Sequence, residues 1–236
     1  MKYAILSDRG LVRSKNEDHY LTDEQRGLFI VCDGMGGHKG GEVASAVAIE
    51  VISRHMPAGG KNKQTIESLN EAVAEANLVI LDKSVNNQEL NGMGTTVTAA
   101  IIKEKSLWVA HVGDSSLFVI SNNSIKKITR DHTLAEQMVL ENILPVAEAA
   151  KSPYNHVLTR ALGLKNQVEI DNYEEYIQSG DLVLLCSDGL TDLLNYDEIL
   201  TLAQKEKSLD KSAKALVSLA LDRGGNDNVT VILISI

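Results

Sequence analysis

Three aspartates stand beside apolar runs of the sequence, in motifs whose residue types suit metal binding. These motifs are Asp33-Gly34-Met35-Gly36-Gly37-His38 after the run 28–32, Ser187-Asp188-Gly189 after the run 182–186, and Asn226-Asp227-Asn228 before the run 229–234. An aspartate at a strand edge is costly to desolvate unless a positive charge meets it. Asp33, Asp188 and Asp227 therefore suggest carboxylates that converge on a shared cation. Ligand sets made only of oxygen select hard divalent ions such as Mg²⁺ or Mn²⁺.

Glycines in the first motif raise the alternative of a nucleotide-binding loop. Gly34, Gly36 and Gly37 lack a Cβ and so permit close backbone approach. A dinucleotide-binding loop, however, would need glycine where Lys39 stands, and no Gly-Lys-Ser/Thr sequence of a P-loop follows. We therefore reject the nucleotide interpretation.

The charge balance argues against a nucleic-acid partner. The 236 residues carry a net charge of −9, and no basic patch stands out to bind a phosphate backbone. An acidic protein is also a poor trap for phosphoryl groups. Bound divalent cations would invert the local field, which agrees with the metal-binding interpretation.

The two cysteines, Cys32 and Cys186, lie inside apolar runs, which predicts buried, reduced thiols and a reducing compartment. A cysteine nucleophile of the tyrosine-phosphatase kind needs an arginine six positions later, where this chain has His38 and Asp192. That alternative fails.

The sequence shows no signal peptide and no membrane span. The first apolar stretch, Tyr3-Ala4-Ile5-Leu6, is soon followed by Asp8 and Arg9, and a span takes about 18 apolar residues. We expect a soluble, cytoplasmic protein with no membrane partner.

Helical and strand periodicities alternate along the chain. Helices are predicted at 41–56, 65 to about 85, 196–206 and 211–222. Strands are predicted at 96–102, 107–112, 117–121, 125–128, about 168–173, 182–186 and 229–236, with a turn at Asn122-Asn123. The first four strands leave no room for crossover helices, so they pair antiparallel.

Two helix pairs and many antiparallel strands indicate an α+β fold in four layers, α-β-β-α, with two antiparallel sheets between the helix pairs. Because no linker or repeat interrupts the chain, we predict a single domain over 1–236. The segment 131–156 is the exception in this pattern. It combines helical signals with Pro145 and Pro153 and has weak apolar patterning. An ordinary surface connection is one interpretation of it.

Seven motifs of the chain occur in the same order in a known family. They are Arg13-Ser14-Lys15-Asn16-Glu17-Asp18, Asp33-Gly34-Met35-Gly36-Gly37-His38, Gly94-Thr95-Thr96, Val112-Gly113-Asp114-Ser115, Leu158-Thr159-Arg160-Ala161-Leu162-Gly163, Ser187-Asp188-Gly189-Leu190 and Asn226-Asp227-Asn228. With this ordered set the sequence resembles the metal-dependent type 2C protein serine/threonine phosphatases (the PPM family), most closely their compact bacterial form. The resemblance implies the α-β-β-α sandwich, and it implies a mobile flap beside the active site at about 131–156.

The resemblance also implies a centre of two Mn²⁺ or Mg²⁺ ions that activate water for direct attack on phosphorus. By match to the family, Asp33 bridges both ions, the Gly34 carbonyl binds one, and Asp188 and Asp227 complete the other. Taken singly, each of these acids would more often be a surface or capping residue; the set at family positions favours metal coordination.

Four further acids are implied around this centre. Glu17 and Asp18 would act through metal-bound waters or directly on the second ion. Asp114 matches the position that holds a third, weaker ion in bacterial relatives. Asp192 matches a further outer ligand of the family, although it and Asp114 could instead be structural.

Arg13 is the candidate for binding the phosphoryl group. A guanidinium can hold two phosphoryl oxygens in a planar fork. The alternative is a salt bridge to Glu17 or Asp18, and the resemblance favours the phosphate role.

The sequence departs from the family pattern at two positions. Animal and plant members often carry a histidine, thought to protonate the leaving alcohol, where this chain has Met35. The proton must then come from metal-bound water or from His38, our candidate catalytic acid. Many members also carry arginine where Ser116 stands, and Ser116 cannot reproduce that charge.

We therefore predict a phosphatase that hydrolyses phosphoserine and phosphothreonine in proteins without a phosphoenzyme, so that Ser7, Ser115 and Ser187 are not nucleophiles. Its expected partners are phosphorylated proteins, those of a cognate Ser/Thr kinase, and we expect a monomer. One alternative is a pseudophosphatase acting as a binding module, against which the full set of core acids argues. Another is a metal-dependent phosphodiesterase or nuclease, against which the absence of a basic groove argues.

Overall fold

Two antiparallel β-sheets pack face to face, and helices cover the outer face of each sheet. The computed structural model describes residues 1–36, 40–56, 65–149, 151–206 and 208–236. In these parts of the chain the layer order is helices, sheet, sheet, helices. The predicted α-β-β-α architecture is therefore confirmed.

Eleven strands within the described residues build the two sheets. They are β1 (Lys2–Asp8), β2 (Asp18–Asp23), β3 (Leu28–Met35), β4 (Gly94–Thr95), β5 (Val97–Lys103), β6 (Ser106–Val112), β7 (Ser116–Ser121), β8 (Ser124–Lys127), β9 (Asp171–Tyr176), β10 (Leu182–Cys186) and β11 (Val229–Ser235). The first sheet has the order β1-β11-β10-β7-β8, and the second has the order β2-β3-β5-β6-β9 with β4 paired to β3. Every pairing is antiparallel.

Seven α-helices occur in the described parts of the chain. They are α1 (Gly40–His55), α2 (Ile66–Asn86), α3 (Leu134–Leu140), α4 (Val146–Ala149), α5 (Asp188–Thr191), α6 (Tyr196–Lys205) and α7 (Leu209–Asp222). The pair α1 and α2 packs on the second sheet, and the pair α6 and α7 packs on the first. Among the described residues, no helix combines the length and the apolar character needed to cross a bilayer.

The strand β3 shows why central strands read as continuous apolar runs. Leu28, Ile30 and Cys32 pack in the cluster beneath α1 and α2, whereas Phe29 and Val31 pack in the cluster between the two sheets. Successive side chains of a strand point to opposite faces. Because both faces are buried here, both sets must be apolar, and the strand delivers Asp33 to the edge of the core.

The sequence patterns located most elements but misplaced one strand and missed three, namely the edge strands β1 and β2 and the two-residue strand β4. The strand expected at about 168–173 lies at Asp171–Tyr176, a polar edge strand, while Val168 and Ile170 pack against the core from the preceding loop. Their apolar character reflects that anchoring and not strand pairing. The edge strands β1 and β2 were not predicted, since neither has a strong apolar pattern. The turn at Asn122-Asn123 is confirmed, with positive φ at both residues.

A close crossing of two backbones holds the end of β3 against the start of α1. A Cβ on Gly34 would lie 2.1 Å from the carbonyl oxygen of Gly41, and a Cβ on Gly41 would lie 2.7 Å from the carbonyl carbon of Gly34. Real Cβ atoms do not approach backbone atoms so closely, so both positions require glycine. The crossing fixes Asp33-Gly34 relative to the helix.

We predict that Gly41→Ala destabilises the protein by about 2–3 kcal/mol, because the added methyl group overpacks a backbone contact. This sign is opposite to the usual gain of about 1 kcal/mol for glycine to alanine inside a helix. Gly40→Ala is the matched control, since its Cβ would meet Met93 Cβ at 3.0 Å and the nearest backbone atom only at 3.6 Å, so the overlap is milder. Urea unfolding of both variants tests this, and equal stabilities would contradict the crossing.

Candidate metal centre

An acidic cleft of about 870 Å³ opens where β3 and β10 end and β11 begins. Eight of the predicted site residues line it: Arg13, Glu17, Asp33, Gly34, Asp114, Asp188, Asp192 and Asp227. They come from five separate parts of the sequence, between positions 13 and 227. The fold thus brings together nearly the whole predicted set.

Hydrogen bonds to its main chain fix Asp33 at the floor of the cleft. Its backbone N–H donates to Thr96 Oγ1 at 2.9 Å, and its carbonyl accepts from the hydroxyl of Thr95 at 2.8 Å. The Thr96 hydroxyl also pairs with Ser115 Oγ at 2.8 Å. The Gly94-Thr95-Thr96 motif therefore orients the main chain of Asp33 and leaves the carboxylate free to face the cleft.

Asp18 lies behind the cleft wall and is 5% exposed. One carboxylate oxygen accepts hydrogen bonds from Ser187 Oγ and Thr230 Oγ1, both at 2.7 Å. In the pairing of β2 with β3, Asp18 stands directly opposite Asp33. Like charges directly opposite in a sheet are destabilising, so this pair needs compensation.

Burial and mutual repulsion raise the pKa values of these carboxyls. Desolvation, followed by the charges of Asp18, Asp188 and Asp114, raises the pKa of Asp33 well above its usual range. Desolvation, partly offset by the two hydroxyl donors, raises the pKa of Asp18 to about 7. Desolvation and the charge of Asp188 raise the pKa of Asp192 to about 7. The cleft therefore holds more negative charge than it can stabilise alone.

Two buried carboxylate oxygens in the described residues have no hydrogen-bond partner, Asp18 Oδ1 and Asp188 Oδ1. A buried acceptor without a donor costs about 1–3 kcal/mol. A divalent cation would meet such oxygens and would offset the repulsion between the acids. Since the donors are carboxylate oxygens with the Gly34 backbone beside them, the site fits the hard ions Mg²⁺ and Mn²⁺.

Arg13 reaches the cleft from an exposed loop and contacts Asp227, with Nη2 2.5 Å from Oδ2. The expected alternative, a salt bridge to Glu17 or Asp18, does not occur. A guanidinium has five N–H donors, so this contact leaves others free for a phosphoryl group.

Ser116, which replaces a family arginine, is fully buried at the start of β7. Ser116 does not line the cleft. This chain therefore has no side chain at position 116 that could take the place of the arginine found in other family members.

His156 is a residue of the cleft that the sequence analysis did not single out. It lies on the cleft wall, and its Nδ1 is 3.4 Å from Asp192 Oδ2. Ligand atoms of His156, Asp188 and Asp192 lie within 4.8 Å of one another, close enough to share an ion. No sequence signal marked it, because it stands at the end of the weakly patterned segment 131–156.

The two ends of that segment are joined across its base. Thr133 and Leu158 form an isolated antiparallel β-bridge, and the Leu134 N–H donates to the Val157 carbonyl at 2.8 Å. Between these ends lie α3 and α4, with Leu140, Ile143 and Val146 exposed. The segment is therefore closed at its base beside the cleft and exposes apolar side chains.

The candidate catalytic acid His38 lies outside the described residues. Both cysteines are fully buried, and burial raises the pKa of the Cys186 thiol to about 12. Burial likewise raises the pKa of the Cys32 thiol well above its usual range. These thiols stay protonated, which agrees with the rejection of cysteine chemistry.

Comparisons with known proteins point to one family. The family model described as "Protein phosphatase 2C" matches residues 12–226. The serine/threonine phosphatase Stp of Listeria welshimeri is 34% identical, over 97% of this chain and 93% of that protein.

Two solved structures give the same result. The serine/threonine phosphatase Stp1 from Staphylococcus aureus has a TM-score of 0.94 at 34% identity, over 100% of this chain and 94% of that one. The catalytic domain of the serine/threonine protein phosphatase PstP, solved with two manganese ions, has a TM-score of 0.88 at 35% identity, over 98% of this chain and 96% of that one.

The repulsion among the acids predicts a stability that depends on pH and on metal. When folding raises the pKa of a carboxyl, the folded protein loses stability as pH rises from the unfolded pKa, about 3.9, through the folded pKa. In EDTA, Asp33→Asn should therefore exceed the wild type in stability, and its advantage should grow from pH 5 to pH 8. We expect about 1–3 kcal/mol at pH 8, within the range for single substitutions.

Urea unfolding at the two pH values measures this, with Glu174→Gln on the exposed edge of β9 as the control. Adding Mn²⁺ should stabilise the wild type more than Asp33→Asn. A wild type that is as stable as Asp33→Asn in EDTA at pH 8 would contradict the assigned repulsion.

Proposed function

This chain belongs to the protein phosphatase 2C family, and we propose that its acidic cleft is the catalytic centre of a metal-dependent protein serine/threonine phosphatase. The enzyme hydrolyses phosphoserine and phosphothreonine in proteins. The observation that locates the centre is the convergence of mutually repelling, buried or partly buried carboxylates at a cleft that Arg13 enters. Two of these carboxylates have a buried oxygen without a hydrogen-bond partner.

The acids of the cleft would hold two divalent cations, Mn²⁺ or Mg²⁺. When bound, these ions supply a water of lowered pKa as the nucleophile and neutralise charge on the phosphoryl group. Asp33, at the floor, would be shared between the ions, with the Gly34 carbonyl as a further ligand. Asp188 and Asp227 would complete the coordination of one ion, and Glu17 and Asp18 would contribute to the coordination of the other.

Asp114 and Asp192 would serve a third, weaker site at the cleft wall. Asp114 is 9% exposed, and desolvation followed by the charge of Asp188 raises its pKa well above its usual range. Asp192 lies beside His156, the residue through which the segment 131–156 reaches the cleft. We infer that this segment is the flap and that its position responds to the charge state of this wall.

The described serines support direct attack on phosphorus without a phosphoenzyme. The Ser187 hydroxyl is buried and donates to Asp18, and the Ser115 hydroxyl is buried and paired with Thr96. Ser7 pairs with Thr230 at 2.8 Å. Each hydroxyl is therefore engaged in holding the frame of the site.

Three finer expectations stay predictions: a cognate Ser/Thr kinase that supplies the phosphorylated proteins, a monomeric state and a cytoplasmic location. His38 as proton donor to the leaving alcohol is also a proposal, with metal-bound water as its alternative.

The test of the function is hydrolysis of a phosphothreonine peptide with and without Mn²⁺, by wild type and by Asp33→Ala. The substitution removes the shared ligand and should lower kcat/KM by more than about 10³-fold, since nucleophile and charge neutralisation are lost together. Glu174→Gln is again the control. Full activity in excess chelator, or Asp33→Ala within tenfold of wild type, would refute the proposal.

Arg13→Ala separates binding from chemistry. Loss of the charge-assisted, bidentate contact with the phosphoryl group should cost about 1.5–3 kcal/mol of binding free energy. If the contact is equally strong in the ground state and the transition state, the substitution should mainly raise KM. Arg13→Lys should recover only part of it, because an ammonium cannot reproduce the planar fork. An unchanged kcat/KM together with lowered stability would make Arg13 a structural ion-pair partner of Asp227.

A further inference from the structure

The loop that carries Arg13 has little packing of its own. Residues 11–15 are all exposed, and Leu11 and Val12 are each 66% exposed. Apolar burial therefore does little to fix this stretch. Its conformation, and with it the direction of the Arg13 side chain, must come mainly from polar contacts of its main chain.

One buried amide makes the contacts at both ends. The side chain of Asn228, which is 3% exposed, donates through Nδ2 to the Arg9 carbonyl at 2.8 Å and to the Lys15 carbonyl at 2.9 Å. Its Oδ1 accepts from the Glu17 N–H at 2.8 Å. Both donors and the acceptor of the amide are therefore spent on the main chain of the 9–17 loop, on either side of Arg13.

Other contacts place the loop on the same turn. The Leu11 N–H donates to the Gly225 carbonyl at 2.8 Å. A Cβ on Gly10 would lie 2.2 Å from the Asp227 carbonyl oxygen, so the two backbones touch. Consecutive residues thus have different tasks: Asp227 presents its carboxylate to the cleft, and Asn228 holds the arginine loop beside it.

We propose that Asn228 is the positioning residue for Arg13, and that its amide sets the enzyme's affinity for the phosphoryl group without touching substrate. This inference rests on the proposed function, because it takes Arg13 as the phosphate contact. A loop that is already held in its binding conformation loses less conformational entropy when phosphate binds, so binding is tighter. Loss of the amide should therefore weaken phosphate binding while the metal ligands stay in place.

A second asparagine provides a matched control. Asn77, 1% exposed, donates to the Lys165 carbonyl at 2.9 Å and accepts from the Gly163 N–H at 2.9 Å. It is also a buried amide that clamps a loop, but that loop does not carry Arg13. Asn77→Ala should cost stability in the same way as Asn228→Ala and leave phosphate binding unchanged.

The experiment measures the inhibition constant of inorganic phosphate and the dissociation constant of Mn²⁺ for Arg13→Ala, Asn228→Ala, Asn228→Asp and Asn77→Ala. Asn228→Asp is isosteric and keeps the acceptor for Glu17 N–H, so it serves if the alanine variant does not fold. We expect Arg13→Ala to raise the constant for phosphate about tenfold or more. Both Asn228 variants should raise it about fivefold or more, with Mn²⁺ affinity within about threefold of wild type.

The double variant Arg13→Ala/Asn228→Asp separates positioning from the added charge. If Asn228 acts through Arg13, the second substitution should change the phosphate constant less than about twofold in the Arg13→Ala background. A persistent effect in that background, or an equal effect of Asn77→Ala, would overturn the inference. So would unchanged phosphate binding in the Asn228 variants when Arg13→Ala weakens it. Unchanged binding in Arg13→Ala would instead refute the phosphate role of Arg13, and the inference with it.

Discussion

The repulsion among buried carboxylates at one edge of the sandwich is the constraint on which the rest of this structure depends. Asp18 and Asp33 stand opposite each other across two strands, and Asp188 adds a third charge beside them. Asp18 is buried, and Asp33 and Asp188 are partly buried, so these charges are less well screened than they would be on an open surface. The arrangement is unfavourable for a metal-free chain and favourable for one that binds divalent cations.

The surrounding structure holds these acids where they would not stay by themselves. The hydroxyls of Thr95 and Thr96 bracket the main chain of Asp33, and the hydroxyls of Ser187 and Thr230 bind one oxygen of Asp18. These bonds fix the positions of the acids but neutralise none of their charge. Stability is thus given up at the site and recovered from the three apolar clusters of the sandwich.

The same turn connects metal binding to phosphate binding. Arg13 contacts Asp227 directly, and Asn228 clamps the loop on which Arg13 stands. If Asp227 is a metal ligand, as proposed, its contact holds the guanidinium close to the place where a phosphoryl group would meet the ions. Elsewhere on the cleft wall, His156 brings the segment 131–156 against Asp192. Substrate would therefore enter between the arginine loop and the segment 131–156.

The sequence by itself determined the layered α+β fold and pointed to Asp33, Asp188 and Asp227, because these depend on local signals. The other acids were implied by the resemblance to a family. Apolar alternation locates the central strands, and an aspartate next to glycine after such a run marks a strand end. Edge strands such as β2 and β9 have too few apolar residues to be located from the sequence. Val168 and Ile170 have the apolar alternation of a strand, but they anchor a loop to the core.

Only the tertiary structure decided which partners the polar residues choose. It placed Asp18 behind the cleft, paired Arg13 with Asp227, buried Ser116 and brought His156 to Asp192. It also gave Asn228 its three hydrogen bonds to a loop more than 200 positions earlier in the chain. Such contacts depend on distances across the fold, which no local periodicity encodes.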